Sequence, residues 1–437
     1  MEARAARRLP EGSTTSHRAW SLVDLLSLGI IVCVVLTMVG REVSYAWARG
    51  LNLSEIADSY GEANDIRAGE AFADHGFGYR KGLPEISYGT AFESAGGKHD
   101  QELCMVPRDC VYLHNPPGSA YTVAFMTKLF GKGAVFHYRL LPLGVGLLAF
   151  SFLAYAMAAT IGVRHTAAVY LVFLAAPMFA NMMHGLCYHG YALSLCLAEI
   201  GVLLLALLKS DRVKPPHLAA LGAIAFVAGW FCYEYVFVVA FTAVPVWLLR
   251  EDWRAPATWR GALMCVVACC AGFGLAQVLH LVQVSAYLGG FSEALADLAK
   301  AGRKRTGGAT WMKFPVNGTF GVIFYYWFDL LPKPTYLNFS FVGFVGLVTS
   351  ALALRRRIRW PSVGAAEKHL VSWEPAWRYI VAIAVSILIS SGWMVVMQQH
   401  AGIHGHFLPR LYFLVVIIAM LAVSRSLNRQ PLATPDD

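Results

Sequence analysis

The sequence predicts an all-α polytopic membrane protein with about ten transmembrane helices and a long extracytoplasmic loop after the first. Three observations predict it. Of 437 residues, 57% are hydrophobic and only 14% charged, where a soluble domain carries about a quarter charged residues. Apolar runs recur from Leu22 to Val423, most near the ~20 residues that a spanning helix needs. Lys and Arg gather in alternate connections between those runs, as cytoplasmic loops do under the positive-inside rule. In lipid every backbone polar group must be bonded internally, so the runs are read as helices.

Taken in order, residues 1–21 hold Arg4, Arg7, Arg8 and Arg18 and form a cytoplasmic N-terminus. The run 22–40 is long, and no small-x-small cleavage site stands out before Arg41, so it reads as a retained span rather than a cleaved signal. Residues 41–138 are the extracytoplasmic loop, too long for a simple connector. Spans two to seven fill 139–285, at 140–162, 167–183, 191–208, 218–232, 236–249 and 262–284. Residues 286–336 form a second outside loop with a short surface helix at 320–331. Spans at 337–354, 379–397 and 411–423 fill 337–426, and 427–437 is a cytoplasmic tail.

Charge supports that layout. Arg164, then Lys209, Arg212 and Lys214, then Arg250, Arg254 and Arg260, then Arg355, Arg356, Arg357 and Arg359, and finally Arg425 and Arg429 all fall inside. It also splits 218–249 into a hairpin turning at 233–235, since one tilted span would place basic clusters on both sides. The run 320–331 is short and closed by Asp329 and Pro332; as a span it would invert every later cluster. Lys300, Arg303, Lys304 and Arg305 break the rule outside. They bind anionic membrane lipid or lipid phosphate, or are a solvated charge run. The net charge of +9 is spread over span ends, which argues against a nucleic-acid partner. No P-loop, dinucleotide fingerprint, Gly-x-Ser-x-Gly or His-Glu-x-x-His is present. Of nine cysteines, only Cys104 and Cys110 lie in the polar loop, as a local disulfide or as two free thiols.

The first loop carries the specific signal. Asp58-Ser59-Tyr60 is followed by Glu62, Asp65, Arg67 and Glu70, then Asp74-His75-Gly76-Phe77. Amphipathic helical stretches are predicted at 62–75 and 119–130. Between them stands Tyr112-Leu113-His114-Asn115-Pro116-Pro117; after them come Leu129-Phe130-Gly131 and Arg139-Leu140-Leu141-Pro142. This pattern resembles the GT-C class of membrane glycosyltransferases. It looks most like relatives of the protein O-mannosyltransferases and of the aminoarabinose transferase that modifies lipid A. In those families an acidic residue after the first span opens a helix ending in Gly. A Pro-Pro pair begins a surface helix ending in Phe-Gly, and an Arg starts the second span. The resemblance is firm over about 57–160, and beyond that it is a pattern of spans and loops. One departure is Asp58-Ser59 where those families often have Asp-Glu.

The resemblance implies a sugar donor carried on a polyprenyl phosphate, transferred with inversion at the outer membrane face. A carboxylate there would take the acceptor's proton, and cations would meet the charge growing on the leaving phosphate. Asp58 is the candidate base, with a helix N-cap the competing role. Asp65 is the fallback. Glu62, at i+4 from Asp58, shares its helical face and forms a paired-carboxylate or metal site, or only a polar face. Arg410 with His400, His404 and His406 is the candidate donor-phosphate group; a metal site there lacks an obvious fourth ligand. Glu234 in an apolar hairpin tip, with His189 and His114, is the candidate acceptor or cavity lining. No metal is assigned and no cofactor is required, though the residues leave room for a divalent cation.

The sequence reading is therefore a glycosyltransferase taking its sugar from a polyprenyl-phosphate donor to a glycan, lipid or protein hydroxyl. Its expected place is the bacterial inner membrane, or the endoplasmic reticulum in a eukaryote. The rival reading is a lipid-linked glycan flippase or secondary transporter without chemistry. It accounts for the spans and Glu234 but not for the acidic loop and Pro-Pro helix. A third is a non-catalytic scaffold.

Overall fold

The structure, a computed structural model, describes residues 21–49, 59–88, 110–175, 183–306, 374–397 and 412–428. Among them the regular structure is helical, apart from one isolated bridge between Glu85 and Val111. Five helices are long and apolar enough to cross a membrane: Leu22–Ala48, Val135–Ile161, Tyr188–Lys209, Pro256–Leu288 and Trp377–Val396. Many of their large apolar side chains are exposed, among them Leu26, Leu36, Leu148, Leu263, Val267 and Leu388. Water would penalise such a surface and lipid does not. The chain is an integral membrane protein.

Helix α1 (Leu22–Arg49) packs on α4 (Val135–Ile161) and α5 (Val163–Ala175). It runs beyond its apolar stretch, because Arg41 and Glu42 continue a buried stripe of Ile31, Met38, Glu42 and Ala46 near helical spacing. Helix α4 packs on α6 (Tyr188–Leu203), which ends in a π turn at Leu204–Lys209. Helix α7 (Pro215–Phe231) runs between α6 and α10 (Pro256–Leu288). At Cys232 the backbone turns extended, and the chain returns through α8 (Val236–Phe241) and α9 (Ala243–Leu248). Arg250, beyond α9, donates to the Ser210 carbonyl at 3.3 Å, so 218–249 is a hairpin. Helices α12 (Glu374–Val396) and α13 (Phe413–Asn428) pack together, and α12 lies against α8 and α9. The expected span 337–354 and surface run 320–331 lie outside the described residues.

Two further helices form a platform at one end of this bundle. Helix α2 (Ser59–His75) and α3 (Gly118–Phe130) pack together through Ala68, Phe72, Ala120 and Ala124. Each stops at a glycine with positive φ, Gly76 at 88° and Gly131 at 85°, a conformation that Cβ disfavours. Helix α3 rests on α4, α6 and α7. Helix α10 has 33 residues, about 50 Å at 1.5 Å per residue, more than the ~30 Å hydrocarbon core. Its surplus reaches the platform, where Val284 packs with Leu83, Val111, Leu113 and Ala294. Helix α11 (Phe291–Arg305) then carries the expected basic run, with Lys300 and Arg303 exposed. Cys110 is disulfide-bonded; Cys104 lies outside the described residues.

Candidate active site

The platform is fastened by charge. Ala68 and Phe72 turn one face of α2 onto α3, and a turn and a half earlier Glu62 points inward with no exposed surface. Its two oxygens accept from Arg139 Nη1 and Nη2 at 2.9 and 3.0 Å, a bidentate pair. The Leu186 amide donates to the same carboxylate at 2.8 Å. Arg139 Nη1 also donates to the His184 carbonyl at 2.9 Å. The His184 ring Nδ1 meets Glu42 Oε2 at 2.6 Å, again fully buried. One continuous network thus joins α1, α2, α4 and the turn before α6.

Beside it the polar nest continues. Asp65, one turn after Glu62, has a solvent-shielded Oδ2 and lies in electrostatic range of Tyr191 on α6, which Thr122 of α3 also approaches. Arg41 has Nε and Nη2 buried with no hydrogen-bond partner among the described residues. A guanidinium so placed suits an anion with several oxygens. Tyr121 donates to the Gly82 carbonyl at 2.9 Å, and burial pushes its phenol above the ordinary value, so it stays a donor.

A third group lies where α6 begins and the α7–α8 turn ends. His189, Cys232 and Glu234 are buried, and one ligand atom of each lies within 4.8 Å of the others. His189 Nε2 stands 3.8 Å from Glu234 Oε2. Among the described residues these three could hold a metal ion.

The structure thus brings together some of the residues singled out from the sequence. Glu62 and Asp65 share the inner face of α2, and Glu234 and His189 adjoin. His114 stands apart, its Nε2 2.9 Å from Asp297 of α11. Asp58, His400, His404, His406 and Arg410 lie outside the described residues. Three buried groups escaped the sequence reading. Glu42 could have been found as the next position on the buried stripe of α1. Arg139 was visible as the residue opening the second span, but not as the partner of Glu62. Glu199 is a lone acid in the apolar run of α6; Cys269 Sγ approaches its Oε1 at 3.6 Å, and Oε2 has no hydrogen-bond partner among the described residues.

No protein-family model matches the chain, and no curated protein matches it. Solved structures similar to it include ArnT from Cupriavidus metallidurans bound to undecaprenyl phosphate, at 14% identity over 92% of this chain and 59% of that one, TM-score 0.46. The same ArnT in the apo state is similar at 14% identity over 92% of this chain and 76% of that one, TM-score 0.36. This chain therefore spans about three fifths of the length of the undecaprenyl-phosphate-bound ArnT chain.

Proposed function

We propose that this chain is a GT-C-type glycosyltransferase that moves a sugar from a polyprenyl-phosphate donor to a hydroxyl acceptor. The reaction runs at the extracytoplasmic face of the membrane, in a bacterium the inner membrane. The sequence resemblance over 57–160 supports the class. The observation that carries it further is the docking of acid-bearing α2 onto the start of α4 and the turn before α6 through Glu62, which takes Arg139 and the Leu186 amide. A loop that served only to connect spans would have no use for a buried ion pair, whose desolvation costs several kcal/mol per ion. A platform that must hold a carboxylate still against a membrane-borne substrate does have that use, because positioning supplies much of such catalysis.

In this reading Glu62 is a positioning residue, since both its oxygens are engaged. Asp58, four residues before it, is the base that takes the acceptor proton as the anomeric carbon is attacked. The sugar–phosphate bond breaks with inversion, and the polyprenyl phosphate leaves. Arg410, with His400, His404 and His406, takes the phosphate charge. Arg41 joins them, two of its guanidinium nitrogens already shielded from water. Asp65 is the fallback base, and Glu234, His189 and His114 belong to the acceptor side.

Whatever the sugar, transfer releases free polyprenyl phosphate, so that release is the assay. In membrane vesicles supplied with mixed polyprenyl-phosphate sugars, Asp58→Asn should abolish release while leaving undecaprenyl phosphate bound to the purified protein, as read by native mass spectrometry. Release at the wild-type rate would sink the base assignment and move it to Asp65.

The second reading, a flippase or transporter, draws on Glu199. An acid inside the bundle, with an oxygen lacking a hydrogen bond among the described residues, is how proton- or substrate-coupled carriers begin. It predicts movement of intact lipid-linked sugar across liposomes, lost in Glu199→Gln, with no release of polyprenyl phosphate.

A further inference from the structure

Among the described residues two His–Glu pairs are buried, and they differ in how closely they approach. His184 and Glu42 have closed to 2.6 Å, a direct charge-assisted hydrogen bond. His189 and Glu234 are as deeply buried, but Nε2 and Oε2 stand 3.8 Å apart, and the Cys232 sulfur lies with them in a set of ligand atoms all within 4.8 Å of one another. We propose that His189, Cys232 and Glu234 bind a divalent transition-metal ion, zinc by its chemistry, with the fourth position left to water or a bound ligand.

Geometry favours this. Around a tetrahedral zinc, bonds of about 2.0–2.3 Å to nitrogen, oxygen and sulfur put neighbouring ligand atoms ~3.3–3.6 Å apart. The 3.8 Å between His189 and Glu234 and the 4.8 Å limit on all three atoms fall within a small side-chain adjustment of that. Charge favours it as well. A Cys232 thiolate and a Glu234 carboxylate bring two negative charges to a buried place, and neutral His189 brings none. A divalent cation takes the sum to zero, which the low dielectric of a bundle interior rewards. The ligand set also selects. Thiolate with imidazole is a combination for zinc, not for magnesium or calcium, which prefer all-oxygen shells.

The sequence prepares the site twice over. Cys187-Tyr188-His189 opens α6, and Cys232-Tyr233-Glu234 closes the α7–α8 turn, so two Cys-Tyr-x units face each other. Cys187 is itself buried and within electrostatic range of Cys232, though outside the three-atom set. The His189 ring is held between Tyr188, with ring centroids 4.3 Å apart, and Tyr235, at 6.2 Å. An ion here would pin the start of α6 to the α7–α8 turn, beneath the platform. The site shares His189 and Glu234 with the acceptor side proposed above, but the two readings are tested separately, by metal content here and by polyprenyl phosphate release there.

The test is metal content. The chain is purified through a histidine-free tag, without chelator, and its metals are measured by mass spectrometry. About one zinc per chain is expected. After chelation, cobalt(II) added to the wild-type protein should restore one site, with a near-ultraviolet thiolate-to-cobalt band. Cys232→Ser should remove that band. His189→Asn and Glu234→Gln should weaken cobalt binding about tenfold or more, and Cys196→Ser, in the same helix but outside the ligand set, should leave it unchanged. Each variant is read only if it elutes as wild type on size exclusion. A wild-type protein with little zinc and no cobalt band overturns the proposal without any variant, as does a band that survives Cys232→Ser.

Discussion

The two ends of the bundle are both charged, but they spend their charge differently. At the end away from the platform the ion pairs are open to solvent. Arg164 meets Asp24 at 2.8 Å with 56% and 27% of the side chains exposed, and Arg250 meets Asp252 at 2.6 Å with 17% and 51% exposed. Three tryptophans, Trp247, Trp253 and Trp377, stack edge to face among them, as side chains do at a membrane–water interface. At the platform end, Arg139 with Glu62 and His184 with Glu42 are almost wholly buried. Exposed pairs contribute little to stability and suit topology. Buried pairs cost desolvation, and here they tie α2 and the turn before α6 to α4 and α1 in one arrangement. The contrast says that one end sets which way the chain lies and the other holds a surface helix in register.

Breaking the buried pair is the largest test of that contrast. Glu62→Gln leaves the Arg139 guanidinium uncompensated, and loss of about 3–5 kcal/mol is expected. Thermal unfolding in detergent would show it as a lower midpoint, and amide exchange would show α2 opening ahead of the spans. Replacing both members, Glu62→Leu with Arg139→Met, should recover much of the midpoint, because no lone charge remains. It should not recover activity if the pair positions the base. Equal loss in the double variant would show that the network is held by other contacts.

A smaller loss is expected one link further along. Glu42→Gln keeps the shape of the side chain and a weaker hydrogen bond to His184, so the cost is about 1–3 kcal/mol. His184 also offers its backbone carbonyl to Arg139, at 2.9 Å. The Glu42 and Glu62 variants should therefore be non-additive in a double-mutant cycle. Additive losses would mean that the two buried pairs are separate devices.

Much of this architecture was legible because it follows from one-dimensional rules. The apolar runs marked α4, α6 and α10, and basic clusters marked the turn at Cys232 that divides α7 from α8. The stops at Gly76 and Gly131 were readable from the family resemblance, in which both surface helices end in Gly. What was not legible is pairing across the bundle. Arg139 lies 77 residues from Glu62, and His184 lies 142 from Glu42. No local pattern reports such a distance. Glu42 was hidden for a further reason: it follows the end of an apolar run, where a charge reads as a boundary rather than as the next position on a buried face. His189 and Glu234 were read together as cavity lining, but only folding brings Cys232 to them. Asp58 and Arg410 lie outside the described residues, and their roles rest on the sequence pattern.

At the exposed end the expected effects shrink. Asp252→Asn removes the partner of Arg250, whose guanidinium holds the Asp252 carboxyl below its ordinary range. The side chain is half in solvent, so the pair is worth about 0–1 kcal/mol. Arg250 also donates to the Leu207 carbonyl at 2.7 Å, and that bond survives the change. A shift in the unfolding midpoint as large as that of Glu42→Gln would erase the distinction between the two ends.

The smallest effect belongs to a pair on the platform that is nevertheless open to water, and it sharpens the comparison because it separates location from burial. Asp74, near the end of α2, meets Lys132 at 2.5 Å beyond α3, and Tyr88 donates to the same oxygen. The ammonium first, then the phenol, hold the Asp74 carboxyl below its ordinary value of 3.8. A carboxyl lowered by docking contributes above its free value and loses that contribution as pH falls through its docked value. Docking of α2 should thus be unaffected by mild acid and weaken only below 3.8. Asp74→Asn should bring to neutral pH the same small loosening of α2 that acid causes in the wild type, and remove any further weakening below that value. If Asp74→Asn loosened α2 at neutral pH as far as Glu62→Gln does, position on the platform would matter more than burial. If it does not, burial of charge is what fastens the helix.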